Sequence, residues 1–87
     1  MTRLIELPNI GKVLDQQLSK INITNEDELD SLGSKETFLK LKSLNAPERF
    51  YCIQMLYSLE GAIEDVPYTE LSDDKKQELL VFFRKNN

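Results

Sequence analysis

Apolar residues recur along this chain at the three- and four-residue intervals of helices, not at the two-residue interval of strands. Ile10, Val13, Leu14, Leu18 and Ile21 make one such stripe, which predicts a helix from about Ile10 to Lys20. Pro8 and Asn9 punctuate its start, and Asn9 is the expected N-cap. Ile23 then anchors a turn, and Thr24 or Asn25 is placed to cap a short helix from Glu26 to Leu32. Glu26, Asp27 and Glu28 lie where a helix N-terminus favours negative charge. Gly33 is the expected left-handed terminator. Ser34 is placed to cap a third helix through Leu44 that buries Phe38, Leu41 and either Leu39 or Leu44.

The fourth helix is predicted from Pro47 to about Asp65, with proline in the first turn, where its missing N–H has no cost. Its apolar residues, from Phe50 and Tyr51 through Ile63, cover more than half the circumference and place it in the middle of the domain. Gly61 costs about 1 kcal/mol relative to alanine inside a helix, so the expectation is a close contact with another helix. Pro67 stops this helix. Ser72 caps a fifth, with Asp73 and Asp74 in its first turn and Arg84 and Lys85 in its last, and Leu79, Leu80, Phe82 and Phe83 on its buried face. No segment alternates long enough for a strand, so the reading is a single all-α domain over residues 1–87, a compact bundle of five helices.

Composition narrows the chemistry. The 87 residues contain no histidine and one cysteine, which excludes imidazole general bases, Ser–His and Cys–His nucleophiles, His-ligated metals and an internal disulfide. Cys52, set among Tyr51, Ile53 and Leu56, is expected to be a buried structural thiol. Glu26, Asp27, Glu28 and Asp30 read as helix-start acids, not a catalytic pair. Glu60, between apolar neighbours, reads as a carboxylate held by a structural partner. No enzyme, cofactor or metal is expected, nor is a membrane span or signal peptide, and the reading points to the cytoplasm.

The Pro8–Lys12 turn carries the chemistry best suited to phosphate. Asn9, Ile10, Gly11 and Lys12 open a helix whose first amides lack intrahelical partners, and Gly11 allows a phosphate close to the backbone. A helix-hairpin-helix element grips DNA in this manner, usually with glycine where Asn9 stands. The net charge of −4 opposes such binding. Its distribution is uneven, with four acids and no base in residues 23–33 but lysines at 35, 40 and 42 and bases at 75, 76, 84 and 85.

Leu7-Pro8-Asn9-Ile10-Gly11-Lys12, Ile23-Thr24 before Glu28-Leu29, and Leu32-Gly33 together resemble the opening of the TfoX/Sxy C-terminal domain. Leu56-Tyr57-Ser58-Leu59-Glu60-Gly61-Ala62-Ile63 is similar to its most specific stretch, and Leu71 with the Lys75–Leu80 region resembles its closing helix. Tyr68 stands where the family often has tryptophan. The resemblance implies a helix-hairpin-helix-like (SAM-like) topology and structural roles for Leu56, Tyr57, Leu59, Glu60, Gly61 and Ala62. It also implies a part in bacterial competence for DNA uptake, with DNA or the transcription machinery as partner, and a stand-alone copy of the domain is the expectation here. A protein–protein module is the alternative. The apolar load of the fourth helix further leads to an expectation of a twofold homodimer.

Overall fold

Leu18, Leu29, Phe38, Leu41, Leu56, Leu59 and Leu79 have no exposed surface, and the elements are built around them. The computed structural model describes residues 3–44 and 52–86. A 3-10 turn, Leu4–Glu6, precedes five helices: α1 (Lys12–Lys20), α2 (Glu26–Leu32), α3 (Ser34–Lys42), α4 (Ile53–Glu64) and α5 (Asp73–Asn86). A second 3-10 turn, Tyr68–Glu70, joins α4 to α5. Among the described residues there is no strand, only an isolated bridge between Arg3 and Asn25. The fold is therefore all-α, with α4 packed against α2, α3 and α5.

Helix ends depart from the sequence expectations in informative ways. Asn25, not Thr24, caps α2: its Oδ1 accepts from the Glu28 amide at 3.0 Å. Glu28 reaches back to the Thr24 amide and hydroxyl at 2.9 and 2.7 Å, closing a box of reciprocal bonds. Gly33 has φ 86 and ψ 161, a combination essentially reserved for glycine, and it separates α2 from α3 as the shared cap. Ser34 is thus the first residue of α3 and not its cap, and α3 ends at Lys42, two residues earlier than expected. Ser72 does cap α5, accepting from the Lys75 amide at 3.1 Å. Cys52 corrects another expectation. It is the exposed N-cap of α4, outside the buried face. Pro47, Phe50 and Tyr51 lie outside the described residues.

The contacts between α3 and α5 set the polarity of the molecule. Lys35 pairs with Glu78 at 2.9 Å and lies over the Phe82 ring. Phe38 meets Phe83 edge-on with centroids 5.8 Å apart, and Lys42 Nζ donates to the Asn86 carbonyl at 2.5 Å. Each step forward along α3 is matched by a step forward along α5, so the two helices run in the same direction and their C-termini coincide. The C-terminal half of α4 lies at the opposite end, where Ser34 Oγ donates to Glu60 at 2.6 Å and Tyr57 Oη donates to the Lys76 carbonyl at 3.3 Å.

Candidate functional site

The turn before α1 is shaped by two apolar anchors. Leu7 and Ile10 are both buried, and the residues between them must reverse direction within one turn. Asn9 does this with φ 70, the left-handed conformation that asparagine tolerates better than most residues. Its side chain is fully occupied. Nδ2 donates to the carbonyls of Val66 at 3.0 Å and Ser58 at 3.4 Å, while Oδ1 accepts from the Tyr68 amide at 3.0 Å. Asn9 is therefore not the cap of α1; Gly11 takes that place with extended backbone and no side-chain cap bond. The Ile10 amide donates to the Leu7 carbonyl at 3.4 Å. Of the four residues expected to face phosphate, Asn9 and Ile10 have internal occupations, and Gly11 and Lys12 are exposed. Val13, expected in the buried stripe, is 59% exposed.

Gly61 explains why asparagine sits at position 9. A Cβ on Gly61 would lie 2.5 Å from Asn9 Nδ2, 2.7 Å from the Val66 carbonyl and 3.3 Å from Tyr68 Cα. The predicted close approach is real, but its partner is the Asn9 turn and the 66–68 segment, not a helix. Asp65, with φ 61, ends α4 in a left-handed conformation, so the Val66 carbonyl returns toward the Asn9 amide group. The rest of the 56–63 stretch is packing: Leu56, Leu59 and Ala62 are completely buried. Tyr57 spends its hydroxyl on α5.

The carboxylates that composition offers for chemistry are tied to helix ends. Glu28 is held below the ordinary glutamate range, first by the Thr24 hydroxyl and then by the Thr24 amide. Asp30 is raised by burial, then by the charges of Glu26 and Asp27. Glu64 is raised by a hydrogen bond to Glu60, then by burial and the Glu60 charge, with Lys75 opposing. Glu60 itself accepts from Ser34 at the start of α3. Glu60 and Ser34 line an open hollow of about 350 Å³ together with Leu32, Gly33, Lys35, Glu36 and Glu78. Glu78 is drawn down by Lys35, through its hydrogen bond and then its charge. Among the described residues no three acidic or thiol side chains converge on a common metal position. No described helix is long and apolar enough to cross a membrane.

This set of features coincides with a known family. The TfoX C-terminal domain matches residues 1–83, from the first turn through most of α5. The chain belongs to that family. Two crystal structures from Listeria monocytogenes are similar to this TfoX C-terminal domain. One, of an uncharacterised protein in a triclinic form, is 41% identical with a TM-score of 0.90, covering 98% of this chain and 93% of that one. The other, of a protein of unknown function in a tetragonal form, is 42% identical with a TM-score of 0.88, covering 97% and 99%. No curated protein matches the chain. The TfoX C-terminal domain is not a known catalytic family.

Two arrangements in this family member escaped sequence reasoning. The Asn9–Gly61 contact joins residues in two separate motifs, and neither motif names the other. The alignment of α3 with α5, which brings Lys40 and Lys42 to the same end as Arg84 and Lys85, depends on tertiary packing. The basic residues were visible; their convergence was not.

Proposed function

We propose that this chain is a non-catalytic regulatory module in bacterial competence for DNA uptake, working by contact with DNA or the transcription machinery. The observation that carries the reading is the extent of the family match, which runs through the residues of every described helix. The carboxylates support it as well. Glu28, Glu60 and Glu78 have structural partners in Thr24, Ser34 and Lys35. Gly11 and Lys12 are the open part of the α1 turn. A Cβ at Gly11 meets nothing within 4 Å, so the position has room for a side chain, and Gly11→Val blocks close approach of a phosphate to the backbone. The turn lies against the segment carrying Glu64, Asp65 and Glu70, which weakens its attraction for an anion.

The second reading is a protein–protein or self-associating module without nucleic-acid contact, favoured by the outward-facing Val13 and Ile5. A salt titration separates the two. Binding to duplex DNA at low salt that weakens steeply as salt rises is the expected result. Failure to bind duplex or single strands even at low salt, with a sedimenting species heavier than the 10.1 kDa monomer, would leave the second reading standing.

A further inference from the structure

The coincident C-termini of α3 and α5 concentrate charge in a way that helix stabilisation alone does not require. Lys40 and Lys42 occupy the last turn of α3, and Arg84 and Lys85 the last turn of α5. Residues 37–44 and 79–86, which build this end of both helices, contain no acid. Each helix C-terminus presents about half a negative charge, so two of them neutralise roughly one of four cations. Lys40, Arg84 and Lys85 are exposed, and Lys42 donates to the last turn of α5. Asp73 and Asp74 open α5 at its other end and Glu60 sits beside Ser34, while Glu36 lies one turn before Lys40 on α3 and Glu78, midway along α5, is engaged by Lys35 and Lys75. Nine and fourteen residues of helix separate the ends. At about 1.5 Å per residue, Asp73 and Asp74 lie roughly 15–18 Å along α5 from Arg84 and Lys85, about two Debye lengths at physiological salt. The net charge of −4 therefore does not describe what a partner meets at this pole.

We propose that this basic pole is a docking surface for the phosphate backbone of duplex nucleic acid, a proposal that rests on the DNA-contact reading above and assigns its surface. The choice of polyphosphate over an acidic protein face follows from charge density. Exposed lysine–carboxylate pairs contribute little in water, whereas closely spaced phosphates release condensed counterions when cations replace them. Among the described residues the pole presents no exposed aromatic ring for base stacking, and its cations are suited to the phosphate backbone.

The test compares the parent chain with Lys40→Glu/Lys85→Glu, with the neutral Lys40→Gln/Lys85→Gln, and with Gly11→Val. Each is titrated with a duplex DNA and with polyglutamate, after circular dichroism shows an unchanged fold. Both lysines are solvent-exposed and make no ion pair among the described residues. Four phosphate contacts give a slope of log affinity against log salt of about −3.6, and each lost lysine reduces its size by about 1. The expected result is a roughly ten-fold or greater loss for the glutamate variant, a smaller loss for the glutamine variant, and a flatter salt dependence in both. Parent-like duplex binding by both lysine variants, with loss in Gly11→Val, would overturn this assignment while leaving DNA contact intact at α1. No duplex binding by the parent would overturn both. Binding to polyglutamate alone would assign the pole to an acidic protein and reject the nucleic-acid partner.

Discussion

Asn9 and Gly61 are one structural unit split between two distant stretches of sequence. Asn9 supplies a left-handed turn and three hydrogen bonds to the end of α4 and the segment beyond it, and Gly61 supplies the space they need. Adding a methyl group at Gly61 forces the Asn9 amide group, the Val66 carbonyl or both to move. Such overpacking costs on the order of 1–3 kcal/mol. Asn9→Gly keeps the backbone conformation but leaves the Tyr68 amide and the Val66 carbonyl without their partner, a loss of about 1–3 kcal/mol. In the double variant one of the clashing atoms is already gone, so the two losses sum to more than the double variant shows. A double-mutant cycle in urea should give a coupling of about 0.5 kcal/mol or more. Simple additivity of Gly61→Ala and Asn9→Gly would sink the paired-residue account.

At the scale of elements, local signals were readable where one residue settles a local question. Gly33, Ser72 and the Glu26–Leu32 helix follow from capping preference and backbone strain, and all three appear in the structure. Asn9 misled because asparagine favours both an N-cap and a left-handed turn; the buried Ile10 beside it and the distant carbonyl of Val66 decided between them. Cys52 misled because its apolar neighbours Ile53 and Leu56 suit a buried face, whereas α4 begins at Ile53 and leaves the thiol at its exposed N-cap. For α2 the readable signal has a measurable consequence. Glu28 in the folded chain is held below the ordinary glutamate range, because donors from Thr24 and then Asn25 favour its charged form. Its contribution to stability is fully present above the unfolded pKa and is lost as pH falls through the lower folded value. Glu78, also lowered, acts in the same direction. Glu64 is raised and acts oppositely, since its charged form is disfavoured in the folded chain as pH rises. Glu28→Gln should therefore narrow the difference in thermal midpoint between neutral pH and pH 3. An unchanged difference would mean that the box around Asn25 contributes nothing to acid sensitivity.

The whole molecule combines one apolar core with two electrically different ends. Buried residues from the first 3-10 turn, from all five helices and from the α4–α5 connection belong to a single cluster, with Phe82 and Phe83 packed against it. The described apolar residues of α4 join it: between Ile53 and Ile63 none is exposed, and Ile53, Tyr57 and Ile63 are partly buried against the cluster. One cluster implies one cooperative transition, as expected for a domain of this size. The Phe38–Phe83 contact offers a test from the end opposite Asn9. Phe38 is completely buried, and Phe83 is the ring that closes α5 over it. Phe83→Ala opens part of that site, and the half-buried position of Phe83 places the loss near the lower end of the range for large-to-small changes, about 2–3 kcal/mol. If the core is a single unit, this variant lowers the urea midpoint seen by far-ultraviolet circular dichroism and the midpoint seen by tyrosine fluorescence equally. Asn9→Gly, perturbing the other end, does the same. Of the three tyrosines, Tyr57 and Tyr68 report from α4 and the following turn, and a Tyr51→Phe background confines the signal to them. A circular-dichroism midpoint that falls while the tyrosine midpoint stays at its parent value would show that the α3–α5 pair unfolds separately, and that the shared core does not bind the two ends into one cooperative fold.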